Sequence, residues 1–187
     1  MPRTIHLLSG AALALGLAAC SSEPAVEGEN MTAEQVAKEM RDAAATGSFF
    51  RAGQWESTVE IKAMEIDGVA QGMDNSIRDA MGQQTFSVCL TEEDVKQPDE
   101  DFFTGADSDC TYENFSLKGG KMNAKMRCTS GGAIQDMTMS GTYDADNYAI
   151  DVSTLASGTP GGMSMDMAIR AKRVGDCAAA EELPGGE

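Results

Sequence analysis

Thr111-Tyr-Glu-Asn-Phe-Ser-Leu-Lys118-Gly119-Gly120-Lys121-Met-Asn-Ala-Lys-Met-Arg-Cys128-Thr129 reads as two β-strands facing each other across a glycine turn. Apolar and polar side chains alternate along most of both arms, the period of a half-buried strand. Adjacent glycines supply the positive φ angles that a tight hairpin turn demands. A two-residue Gly119-Gly120 loop sets Leu117 against Met122 and Phe115 against Ala124, apolar against apolar. A three-residue Lys118-Gly119-Gly120 loop instead sets Cys110 against Cys128 and Glu113 against Lys125. A bulge in one arm would satisfy both registers. In either register the two cysteines are near neighbours, so Cys110 is expected to pair with Cys128.

The same period extends in both directions. Upstream, Trp55, Val59, Ile61 and Ala63 alternate with Glu56, Thr58, Glu60 and Lys62, which places Trp55 in the core, and Asp67-Gly68 marks a turn. Phe86, Val88 and Leu90 form a further strand, and Thr91-Glu-Glu-Asp94 opens a short helix that ends before Pro98. Downstream, strands are expected over about residues 134–143, 148–155 and 163–172. The fold class is therefore mainly β: an antiparallel meander of about seven strands, forming either a curved sheet or a small barrel. Ahead of it, Thr32-Ala-Glu-Gln35 matches a capping box for a short N-terminal helix over 32–46. That helix has a narrow apolar side (Val36, Ala37, Met40, Ala44), so it is expected to pack loosely or only cap the domain.

The ends of the chain carry an address. Arg3, an apolar run from Leu7 to Ala19, and Leu17-Ala18-Ala19-Cys20 resemble a bacterial lipoprotein signal peptide over 1–19, with Cys20 as the lipidated residue. The run is too short to span a bilayer, which takes about 20 residues. Ser21 in place of Asp favours, by resemblance to enteric lipoproteins, the outer membrane and its periplasmic face. Residues 20–31 are polar and acidic and read as a flexible tether. Residues 178–187 read as a disordered acidic tail, which leaves 50–177 as the β domain. Without the first 19 residues the net charge is −17, from 13 basic and 30 acidic side chains. Such a surface repels nucleic acid and other polyanions.

With Cys20 acylated, Cys89, Cys110, Cys128 and Cys177 remain, an even set suited to an oxidising compartment. Pairing Cys110 with Cys128 leaves Cys89 for Cys177. The cysteines are separated by 20, 17 and 48 residues and contain no C-x₂-C pair, which argues against a zinc or iron–sulfur site.

Gly53-Gln-Trp55-Glu56, Cys89-Leu90-Thr91 with its acidic short helix, Cys110 and Cys128 framing a hairpin, and Gly175-Asp176-Cys177 together resemble domain-of-unknown-function family 3617. These are small exported bacterial proteins. The resemblance covers about residues 50–177 and implies the β fold, the disulfides and export. It carries no catalytic residues. The family's segment after the first strand is rich in Pro, Gly and Met, whereas Gly68-Val-Ala-Gln-Gly-Met-Asp74 has no proline.

The chemistry open to the chain is narrow. Its one histidine, His6, lies in the segment expected to be removed, which leaves no Ser-His-Asp or Cys-His arrangement and no imidazole ligand. Gly158-Thr-Pro-Gly-Gly162 lacks the lysine and helix of a phosphate loop. Carboxylate pairs suited to a hydrolase are unavoidable among 30 acids and therefore uninformative. The acidic runs 99–101, 107–109 and 144–147 fit solvated loops. As a calcium loop the last fails, because Ala149 and Leu155 stand where Gly and Glu are needed. No enzyme activity and no cofactor are expected.

The positive feature is methionine. Met137 and Met139 share a face, as do Met163, Met165 and Met167, with Met122 and Met126 on a neighbouring strand. Adaptable core filling explains this spacing. Two other uses are an interior that accepts an apolar ligand and a soft-thioether Cu(I) site, for which Met163, Met165 and Met167 are the candidates. The expected role is a non-enzymatic, periplasm-facing lipoprotein domain, structural or interacting with envelope proteins. The alternative is a binding module with a Met-lined interior.

Overall fold

Strand pairing organises the computed structural model, which describes residues 23–70, 72–97, 109–130, 132–158 and 162–177. The elements are β1 (Val26–Thr32), α1 (Ala33–Ala44), β2 (Gly53–Ile66), α2 (Met73–Met81), β3 (Gln83–Leu90) and α3 (Glu92–Lys96), followed by β4 (Asp109–Lys118), β5 (Lys121–Ser130), β6 (Ala133–Tyr143), β7 (Asn147–Ser157) and β8 (Met163–Gly175). All eight strands form one antiparallel sheet in the order β1-β4-β5-β6-β7-β8-β2-β3. Strands β4 to β8 are the expected meander. β1 and β3 form its two edges and do not pair, so the sheet is curved and open rather than a closed barrel.

The central hairpin takes both registers. Leu117 faces Met122 and Phe115 faces Ala124, as a Gly119-Gly120 loop requires, yet Cys110 faces Cys128. The register shifts between Tyr112 and Asn114, where Glu113 is the extra residue. Its carboxylate still reaches Lys125 Nζ at 2.5 Å. The bulge keeps Tyr112, Phe115 and Leu117 on one face, all three buried.

Two expectations for the N-terminal segment are corrected. Part of the stretch read as a tether is strand: β1 pairs with β4 from Val26 opposite Leu117 to Thr32 opposite Thr111. Glu27, Gly28 and Glu29 supply little local strand signal, and the pairing partner lies about ninety residues away. Helix α1 is also no loose cap. Thr32 and Gln35 close the capping box as expected (Gln35 N–H to Thr32 Oγ1, 3.2 Å; Thr32 N–H to Gln35 Oε1, 2.8 Å). Val36 and Ala37 are fully buried and Met40 nearly so. The helix packs on β1 and β4 and touches α3, which leaves the opposite edge. The sheet thus curls far enough for one helix to stand between its edges, and a narrow stripe suffices for burial because the sheet wraps it.

Residues 45–52 carry Phe49 and Phe50 across one end of the sheet. The Phe50 ring sits 5.8 Å from each of Trp55, Tyr143 and Tyr148. Trp55 is 1% exposed, in the core as expected, and its Nε1–H donates to the Arg51 carbonyl at 3.0 Å. Helix α2 begins at Met73, at the end of the segment that carries no proline, with no buried residue and no side-chain cap. The acidic helix after Thr91 is α3, with a capping box closed by Asp94. The segment 1–19, Cys20 and the tail 178–187 lie outside the described residues, as do 98–108 and the acidic run 99–101.

Candidate functional site

The inner face of the sheet is built from alternate residues of every strand, and methionine dominates it. Met122, Met137 and Met139 pack partly buried against the core under α1. Met163, Met165 and Met167 lie half-buried along β8, opposite Ala156, Thr154 and Val152 of β7. On the other side they meet Ile66, Met64 and Ile61 of β2. Met163 and Met167 are four residues apart on one strand, about 13 Å at 3.3 Å per residue. The three methionines therefore form a file along β8 and do not converge.

Met64 is the inner-face residue that sequence periodicity misses. Simple alternation puts Ala63 inside with Trp55, Val59 and Ile61. A register shift between Ile61 and Ala63 inserts one residue and reverses the parity. Ala63 is exposed, and Met64 is buried at 7%. Beyond it, the β3 edge leaves Phe86 and Val88 of the same face 51% and 42% exposed.

The cysteines meet as expected. Cys89 and Cys177 lie at disulfide distance, Cα–Cα 5.5 Å, and tie the β3 edge to the end of β8. Cys110 and Cys128 lie at Cα–Cα 4.1 Å inside the hairpin.

Charges occupy the other face and are spent on one another. A cleft of about 480 Å³ is lined by Glu56, Thr58, Arg170 and Lys172 among others. A second, about 340 Å³, is lined by Glu113, Lys125, Arg127 and Asp136 among others. Neither is lined by Met163, Met165 or Met167. Arg127 donates to Asp136 at 2.7 Å, and this bond holds the Asp136 carboxyl below the usual carboxylate range. Asp144 is held low by the backbone N–H of Asp146 and by Asn147, and Asp146 meets Arg51 at 3.1 Å. The 144–147 run is thus a turn whose carboxylates are occupied. Among the described residues no group of three or more His, Cys, Asp or Glu could hold a metal ion. Ser57 and Thr154 are buried polar side chains, and the hydroxyl-bearing Tyr112 is buried as well.

The model of the family described as "Protein of unknown function (DUF3617)" matches residues 50–177, from the loop before β2 to Cys177. The chain belongs to the DUF3617 family. The match takes in both cysteine pairs and all strands of the sheet except β1. The helix that wedges the sheet and the strand that completes its edge therefore lie outside the DUF3617 segment. Searches among curated proteins and among solved structures return no match.

Proposed function

We propose that this DUF3617 protein is a bacterial lipoprotein, held by lipid on Cys20 at the periplasmic face of a membrane, the outer membrane being favoured. Its β domain would be non-enzymatic and would serve structural or interaction roles in the cell envelope. The observation that carries this reading is Leu17-Ala18-Ala19-Cys20 at the end of an apolar run behind Arg3. Two cysteine pairs at disulfide distance support it, because such pairs persist in oxidising compartments. The net charge of −16 disfavours nucleic-acid partners.

The test is metabolic labelling of the full chain with a radioactive fatty acid in a bacterial host, beside Cys20→Ser. Label on the wild type alone, with the variant released into the soluble periplasm, is the expected result. An unlabelled wild-type chain refutes the proposal. A second reading, a module that accepts an apolar ligand, is favoured by the half-buried Met163, Met165 and Met167 and the exposed Phe86 and Val88 on one inner face. It predicts that a fatty-acid fluorophore binds the full chain and is lost in Phe86→Asp.

A further inference from the structure

Of the eight described strands, only β3 (Gln83-Gln-Thr-Phe-Ser-Val-Cys-Leu90) has no charged side chain. It is also an edge. It pairs with β2 without a break, and among the described residues no strand pairs with its other side. Alternate residues of an antiparallel edge turn their N–H and C=O groups away from the sheet, so β3 holds a row of donors and acceptors open to another strand. Gln83 to Cys89 are all exposed. Phe86 and Val88, opposite Ser57 and Trp55 on the inner face, are 51% and 42% exposed.

Edges that face water are normally guarded by charge, proline or irregular backbone. The opposite edge is guarded, since β1 carries Glu27, Glu29 and a left-handed Asn30 (φ 54°). β3 has none of these devices: no charge, no proline, no positive φ and no register shift.

We propose that β3 is the joint of a symmetric homodimer, pairing antiparallel with β3 of a second copy about a two-fold axis at Ser87. In this register Phe86 of each copy faces Val88 of the other, so the two exposed apolar side chains cover one another. Ser87 faces Ser87 and Thr85 faces Cys89 on the outer side. Net charge points to the occupant. A foreign segment drawn to a chain of charge −16 would be basic and would seek carboxylates, which β3 lacks. Two acidic copies repel each other wherever their carboxylates meet, and β3 is the strand where none do. Glu92, Glu93 and Asp94 follow β3 on α3. An antiparallel joint sets the two α3 helices at its opposite ends, so these acids stay apart. The guarded β1 edge stops further growth, and the assembly closes at two copies instead of running on as a fibre. Eight residues make about 26 Å of strand, a joint at the small end of specific interfaces, so the dimer should dissociate at about 10–100 µM.

The inference rests neither on acylation of Cys20 nor on an apolar ligand. Full-length protein in density-matched detergent, with micelles in excess, is followed by sedimentation equilibrium from about 1 µM to about 500 µM, which brackets that constant. A monomer at the low end and a dimer at the top, with nothing larger, is expected. Ser87→Lys sets two ammonium groups against each other on the axis and should weaken the dimer at least about 30-fold, and Ser87→Glu should do the same. An equimolar mixture of these two variants should restore the dimer, which also shows both to be folded. Glu29→Lys, a larger change of charge on the β1 edge, should keep the wild-type constant. A wild type that stays monomeric throughout overturns the proposal and leaves β3 to some other occupant. Assemblies larger than two, equal weakening by Glu29→Lys, or a mixture of folded variants that stays monomeric overturn it too. Should either Ser87 variant fail to fold, hydrogen exchange of the wild type across the same concentrations decides. Slowing confined to residues 83–90 is expected, and slowing elsewhere or none overturns the joint. Ser87 lies on the outer side, so loss of the dimer in Ser87→Lys is distinct from loss of a fatty-acid fluorophore in Phe86→Asp.

Discussion

Val36→Ala tests how α1 is held. Val36 is 0% exposed at the centre of the helix face that the sheet wraps. Truncation removes two methyl groups, about 1.6 kcal/mol of transfer free energy at 0.8 kcal/mol each. The cavity left behind adds to this, so the expected loss is about 2–3 kcal/mol. A helix that merely capped the domain would lose no more than about 0.5 kcal/mol, the usual range for a surface substitution. Urea unfolding followed by fluorescence suits the measurement, because Trp55 is the one tryptophan and is 1% exposed on β2. With an m-value of about 2 kcal/mol/M the midpoint should fall by roughly 1–1.5 M. Glu39→Ala, on the exposed side of the same helix, should leave it in place. A Val36→Ala midpoint within experimental error of wild type would refute the argument that the helix is part of the core.

Further outcomes follow from close contacts and from burial. A Cβ at Gly141 would lie 2.1 Å from the Ala149 carbonyl oxygen of β7, a backbone atom that cannot swing aside. Gly141→Ala should cost about 1–3 kcal/mol in urea titrations. Gly28→Ala meets only the flexible Met31 side chain and should cost less. Burial pushes the Tyr112 hydroxyl up to about 12 from 10.0. A raised folded-state value gives stability that is whole below about pH 10 and is lost as pH climbs through 12. The difference amounts to roughly 3 kcal/mol. Wild type should therefore lose most of that amount relative to Tyr112→Phe between pH 9 and pH 12, and parallel curves would count against it. At the acid end, Asp94, Asp136 and Asp144 have lowered values from bonds to Thr91, Arg127 and Asp146 respectively. Their contribution is present above about pH 4 and declines as pH falls further, so thermal unfolding temperatures should drop below that point.

Local chemistry made much of the fold legible in the sequence. The glycine turn, the alternating arms and the facing cysteines define the hairpin and even its bulge, and the two capping boxes locate α1 and α3. These features are decided by residues within a few positions of one another. Strand β1 escaped because its partner is distant and its own composition is polar. Helix α2 escaped because Gly72 offers no capping side chain and the helix buries nothing. The bulge after Ile61 gives no local signal, so Met64 was missed. The cross-strand juxtaposition of Met137, Thr154, Met165 and Met64 combines both failures, since it needs a parity reversal in β2 and a strand order set by tertiary pairing. Thr154, ordinary within Ser153-Thr154-Leu155, becomes distinctive only when its neighbours on β6 and β8 are known.

Strand β1 begins at Val26, opposite Leu117 beside the Gly119-Gly120 turn. An acyl group on Cys20 would leave five residues before the folded body begins, a leash of at most about 20 Å. A domain so closely moored could not tumble freely. It would keep its Gly119-Gly120 end toward the lipid and its Cys110–Cys128 end outward, so that whatever meets this protein from the aqueous side would approach the far rim of the sheet.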